Sequence, residues 1–120
     1  MVKADGEPPT DDAIEKLELE LRRGAIVLAC LSQLAEASYG WELQQRLAER
    51  GMEIEQGTLY PLLRRLHEQG LLAEEWRVEE SRPRKYYRLT EGGTRALAEL
   101  GGQWRAMVRV MDGLLNGGRG

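Results

Sequence analysis

Apolar positions recur along this chain with two different periods, and the change of period divides it. Ile14, Leu17, Leu21, Ala25, Leu28 and Leu31 keep helical spacing and predict a first helix running to about Ala35. Thr10 to Asp12 can cap its start. Before it, Gly6 and Pro8-Pro9 discourage regular structure, so residues 1–9 are expected to form a flexible N-terminus. Ser38 is a good N-cap for a second helix, with Trp41, Leu43 and Leu47 as its apolar positions and Gly51 just past its end. Leu59, Leu62, Leu63 and Leu66 define a third helix. Pro61 is expected near the start of that helix, because deeper inside it would remove a backbone bond, and Gly70 closes it.

The period then shortens. Leu71–Val78 and Lys85–Leu89 read as two strands, joined by the polar loop Glu79-Glu80-Ser81-Arg82-Pro83-Arg84. Tyr86 and Tyr87 fall on opposite faces, so at most one is expected in the core. Thr90 caps a last helix and Glu91 sits favourably in its first turn. Helix, helix, helix, hairpin, helix is the order of a winged helix-turn-helix. The predicted fold class is mainly α with a small β-hairpin: a winged helix-turn-helix over residues 10–90 and a C-terminal dimerisation helix over residues 91–117.

The third helix carries the most definite chemistry. Its apolar face leaves Thr58, Tyr60, Pro61, Arg64 and Arg65 on the other side. Arginines there can make bidentate contacts to guanine or clamp a phosphate, and the hydroxyls can reach backbone or base edges. Read alone, the same face is an amphipathic helix with solvated arginines. The loop bases Arg82, Arg84 and Lys85 around Pro83 suit a minor groove or flanking phosphates, with a solvated turn as the plainer reading. Arg88 could pair across the hairpin. Tyr39-Gly40-Trp41 opens the second helix: Tyr39 could touch a phosphate, Gly40 allows close approach, and Trp41 reads as core.

Charge at first argues against nucleic acid, since the 120 residues carry a net −3. Its distribution reverses that. Residues 1–20 hold seven acids and two bases, leaving the rest of the chain at +2. Ser81–Leu89 contains four bases and no acid. Phosphate contacts are local, so a local positive feature suffices.

At 42% hydrophobic and 31% charged, the composition is that of an ordinary soluble domain. The apolar run Ala25–Leu31 is far too short to span a bilayer, so no membrane is expected as a partner. The single cysteine, Cys30, excludes an internal disulfide and reads as a buried thiol in a reducing cytoplasm. No catalytic set, cofactor motif or metal site is legible. His67 lacks ligands at metal spacing, and the glycine pairs lack the strand-to-helix setting of a phosphate loop.

The last helix has a sharp pattern. Leu97, Leu100, Trp104, Met107, Met111 and Leu114 are spaced 3, 4, 3, 4, 3, a heptad seam that calls for a partner helix. Homodimerisation satisfies it, with Ile14, Leu17 and Leu21 of the first helix packing beside it across the dimer; packing on the chain's own first helix is the plainer reading, and both are expected. Gly101-Gly102 interrupts the seam, either bending the helix or admitting a close neighbour, and Trp104 follows. An indole beside small residues leaves room for a planar guest, although packing at the seam explains it as well.

Three blocks, Tyr39-Gly40-Trp41-Glu42-Leu43, Gly57-Thr58-Leu59-Tyr60-Pro61-Leu62-Leu63-Arg64-Arg65-Leu66 and Arg84-Lys85-Tyr86-Tyr87-Arg88-Leu89-Thr90, resemble the PadR family of bacterial transcriptional regulators in order and spacing. The resemblance runs from about Leu21 to Leu115 and is nearest to the short subfamily with one C-terminal helix. It implies a dimeric repressor on a double-stranded DNA operator, with the last helix as dimerisation element. It further implies response in some members to phenolic acids, drugs or other small molecules, and a stacking role for a tryptophan placed like Trp104. The alternative is a winged-helix module that binds protein and not DNA, which the net acidity and Glu79-Glu80 favour; an enzyme is not expected.

Overall fold

The computed structural model describes residues 7–117, so most of the N-terminal stretch predicted over residues 1–9 lies outside the described residues. Helix α1 (Asp11–Ser32) begins where the sequence placed it. The Thr10 hydroxyl accepts a hydrogen bond from the Ala13 N–H at 3.0 Å, and Asp11 and Asp12 complement the helix dipole. The helix ends short of Ala35. The Gln33 and Leu34 N–H groups bond the Cys30 and Leu31 carbonyls, tightening the last turn. The Leu34 carbonyl then accepts from the Leu89 N–H at 2.8 Å, tying the helix exit to the sheet.

Strand β1 (Ser38–Tyr39) was not foreseen, and it displaces the expected cap. Ser38 is buried in the sheet, where its hydroxyl accepts from Arg46 Nη2 at 3.0 Å. Helix α2 (Gly40–Glu49) therefore starts after Tyr39, whose N–H is met by the Glu42 carboxylate at 3.3 Å. Gly51 ends the turn with φ +98°, a conformation that favours glycine.

Helix α3 (Gln56–Glu68) corrects the reading of Pro61, which lies inside the helix and not at its start. The helix begins on the Glu55 carbonyl, which receives the Thr58 and Leu59 N–H groups. Pro61 deprives the Gly57 carbonyl of its helical donor, a loss that water can offset because Gly57 is exposed. Gly70, at φ +83°, closes the helix as predicted.

Strands β2 (Leu72–Glu79) and β3 (Arg82–Leu89) pair antiparallel from Leu72↔Leu89 to Glu79↔Arg82. The order is β1-β3-β2. The expected six-residue loop shrinks to Glu80-Ser81, with φ of +53° and +65°. Positive φ at both central residues makes the tight turn that matches strand twist. Arg82, Pro83 and Arg84 thus belong to a strand. Both tyrosines of β3 are buried, but only one of them in the core, as their alternation requires. Tyr87 joins Leu72 and Leu89 in the main core. Tyr86, on the other face, is covered by the Tyr39 ring at 5.4 Å and the Arg77 guanidinium at 4.3 Å, and its hydroxyl donates to Glu79 Oε1.

The core lies between α1, α2, α3 and the sheet, with Leu31, Leu34, Leu43, Leu59, Leu63 and Leu66 almost completely enclosed. Cys30 is buried among them, as predicted, and burial pushes its thiol from 9.0 to about 12. The folded protein is expected to leave Cys30 unreacted by a thiol reagent at mildly alkaline pH, and urea to expose it. Because the raised value belongs to the folded state, the unfolded chain loses its proton first, so this group's contribution to stability falls as pH rises from 9.0 towards 12. Fast labelling without denaturant would contradict the buried position.

Helix α4 (Glu91–Leu115) is joined rigidly to the end of α3. Thr90 Oγ1 accepts from the Gly93 N–H at 3.0 Å and donates to the Gly70 carbonyl at 2.7 Å, while the Thr90 N–H bonds the Leu71 carbonyl. Helix α4 packs on α1, and Leu97 packs against the core. Beyond it the seam is open: Trp104 is 44% exposed, Met107 56% and Leu114 63%. Leu17 and Leu21 on α1 are exposed as well. The helix runs unbroken through Gly101-Gly102.

Candidate nucleic-acid interface

The α3 core leucines, spaced to share one face, leave the opposite face to solvent. Thr58, Tyr60, Pro61, Arg64 and Arg65 are all exposed there. They divide into two flanks. Tyr60 and Arg64 look toward the hairpin, with Tyr39, Trp41 and Lys85 across an open groove. Thr58, Pro61 and Arg65 look toward α1, where Arg23, Ile26 and Val27 line a shallower hollow. Arg64 and Arg65 hold no ion pair among the described residues.

The hairpin bases are less free. Lys85 lies 3.5 Å from Glu74 Oε2 and 5.4 Å from the Trp76 ring centre. Arg84 lies 3.8 Å from Glu79, covers the Tyr39 ring at 4.5 Å and donates to the Tyr39 hydroxyl at 3.1 Å. Tyr39 and Arg84 therefore brace the sheet against α2 as well as bordering the groove. Arg82 is exposed beside the turn. Arg88 is exposed, and its contact is with the Leu89 carbonyl at 3.5 Å, so it does not pair across the hairpin.

Two residues at this surface escaped the sequence reading. Trp41, read as core, is 52% exposed and stacks on Tyr39 at 6.4 Å. The signal was present: Leu43 and Leu47 share the buried face, and Trp41, two residues before Leu43, must point away from it. Trp76, on the hairpin face that also carries Lys85, is 64% exposed.

The groove, about 320 Å³, runs from Trp41 to Lys85 along the Tyr60–Arg64 flank of α3. A helix with unpaired arginines beside a three-stranded sheet with a basic strand can engage a polyanion. Helix geometry lets such a face enter the major groove of a duplex. Nothing in this surface offers a nucleophile beside a base. Among the described residues no cluster of potential metal ligands occurs, and no helix is long and apolar enough to cross a membrane.

Comparison with known proteins agrees with this geometry. The chain is 42% identical over 81 residues to the transcriptional regulator Rv3488 of Mycobacterium tuberculosis, covering 67% of this chain and 76% of the relative. The crystal structure of a PadR family transcriptional regulator from Eggerthella lenta superposes with a TM-score of 0.80 at 50% identity, covering 89% of this chain and 96% of that one. A PadR-like regulator from Bacillus cereus gives 0.73 at 28% identity, covering 82% and 98%. Residues 27–99 match the family profile described as "Transcriptional regulator PadR-like family", which takes in α2, α3, the whole sheet and the start of α4. The chain belongs to the PadR-like family of transcriptional regulators, DNA-binding winged-helix proteins and not enzymes.

Proposed function

We propose that the chain is a homodimeric, cytoplasmic repressor that places two α3 helices in successive major grooves of an operator. The observation that carries this reading is the outer face of α3, where Arg64 and Arg65 are exposed and without ion pairs among the described residues. Thr58 and Tyr60 share that face, and Tyr39, Arg82, Arg84 and Lys85 supply flanking phosphate contacts. The partner for dimerisation is a second copy, joined through Leu97, Leu100, Trp104, Met107, Met111 and Leu114, with Leu17 and Leu21 alongside. Leu97 packs on the core, and the exposure of the others supports this, because a monomer would present a long apolar stripe to water.

Release follows from the same seam. The space beside Gly102 is open, and Trp104 lies two residues on. A small planar aromatic effector stacked on Trp104 would favour one spacing of the two copies over another. The domain division is then residues 10–90 for DNA and residues 91–117 for pairing.

The test is a salt series of mobility shifts on DNA from upstream of the chain's own gene. Replacing Arg64 and Arg65 together by Ala is expected to weaken binding about a hundredfold, at roughly 1–3 kcal/mol for each good contact. The slope of log affinity against log salt should fall by about 0.9 for each phosphate no longer neutralised. Unchanged binding would remove α3 as the reading helix. A second reading, a protein-binding winged helix, is favoured by the ion pairs of Lys85 with Glu74 and Arg84 with Glu79, which partly neutralise the sheet. Absence of any shift by the parent protein would select it.

A further inference from the structure

We propose that the groove between α2, α3 and β3 seats one backbone phosphate of duplex DNA with its deoxyribose, and that Gly40 is the positioning residue that holds Tyr60 there. This rests on the DNA-binding reading above and adds a seat to it. The groove combines cations with flat aromatic faces. Arg64 is its one lining cation without an ion pair among the described residues, and Lys85 and Arg84 stand on the opposite wall. Trp41 and Tyr60 add exposed rings to the same lining, one on each side. A phosphodiester needs cationic or hydroxyl donors, and its sugar presents an apolar face to a ring. A base within a duplex is stacked and cannot reach a pocket beside the reading helix without being flipped out. A duplex lying on the exposed face of α3 carries its backbone across this flank.

Gly40 explains how Tyr60 is held. A Cβ at Gly40 would stand 2.6 Å from Tyr60 Cε1 and 3.0 Å from Cζ. The ring thus lies directly on the first turn of α2, in space that only glycine leaves. The obstruction is the outer end of a side chain and not backbone, so alanine at position 40 can be accommodated by swinging Tyr60 away. Folding then survives while the seat is lost.

The experiment uses the whole protein labelled with fluorotryptophan and a random-sequence duplex of a few helical turns carrying a fluorophore. Binding is followed by anisotropy and by the fluorine resonance of Trp41, assigned from its loss in Trp41→Phe. The Trp41 resonance is expected to shift in step with anisotropy, and Gly40→Ala to bind about tenfold more weakly with unchanged thermal unfolding. In a Tyr60→Ala background, Gly40→Ala should cost nothing further, which a merely structural glycine would not satisfy. Trp41→Ala should weaken binding without altering its salt slope, since no charge is removed. A rise in anisotropy with an unmoved Trp41 resonance overturns the groove as a seat and leaves the DNA-binding reading intact. No rise with any duplex overturns both. Parent affinity in Gly40→Ala overturns the positioning role, and additive losses in the double variant do the same.

Discussion

Replacing Gly93 by Ala is expected to cost about 3 kcal/mol or more of folding free energy, at the upper end of what overpacking does. Gly93 is buried in the first turn of α4, and a Cβ there would overlap the Leu71 carbonyl oxygen and stand 3.0 Å from Leu89 Cδ2. Backbone cannot swing aside as a side chain can. The Leu71 carbonyl also accepts the Thr90 N–H, so moving it breaks one of the hydrogen bonds that fix α4 to α3. The neighbouring Gly92 provides the control. Its added Cβ would meet the Gly70 carbonyl at 3.5 Å and Thr90 Oγ1 at 3.6 Å, ordinary contacts. Gly92→Ala should be neutral or gain up to about 1 kcal/mol from helix propensity. Urea unfolding of the pair is the measurement. A Gly93→Ala protein with the parent midpoint would mean that α4 does not enter as described.

Introducing lysine at both Met107 and Met111 should convert the protein to monomers and lower operator affinity by about a hundredfold to ten-thousandfold, the range in which a tethered second site adds avidity. Both methionines are about half exposed in the single chain, on the seam that begins with Leu97 at the core. Lysine has nearly the helix propensity of methionine, so α4 should keep its helix content by circular dichroism. What changes is the pairing, because four ammonium groups would meet along one apolar contact. Sedimentation should give a mass near 13.6 kDa for the variant and twice that for the parent. A parent protein that already sediments as a monomer, or a variant that remains a dimer, would remove the seam as the interface.

The long elements were legible because each carries its own period and its own punctuation. Thr10 and Thr90 announce α1 and α4 by chemistry that is local, a hydroxyl within reach of an N–H three residues on. What escaped was set by distant partners. β1 is two residues long and exists only because β3 arrives beside it, with Ser38 opposite Tyr87 and Tyr39 opposite Tyr86. Glu80 and Ser81 adopt left-handed backbone without the glycine or asparagine that usually marks such a turn, so the loop looked longer than it is. Alternation put at most one of Tyr86 and Tyr87 in the core and gave no cover for the other; Tyr39 and Arg77 cover Tyr86 from outside the hydrophobic core. The outer face of α3 was readable from spacing alone. The groove beside it was not, since its walls come from three separate segments and its floor depends on a glycine 20 residues upstream of the tyrosine it carries.

The Thr90 junction has a mechanical side. Its bonds to the Gly70 and Leu71 carbonyls leave little play between the end of α3 and the base of α4. Helix α4 is 25 residues long, a rod of about 37 Å at 1.5 Å per residue. Turning such a rod about its base by roughly 5° carries its tip about 3 Å, close to the rise of one base-pair step in B-DNA. Read in reverse, a shift of that size near the tip is geared down to a few degrees of yaw at α3. In the dimer proposed above, the angular tolerance for DNA would therefore be set far from the DNA, by how firmly the distal turns of α4 are clamped.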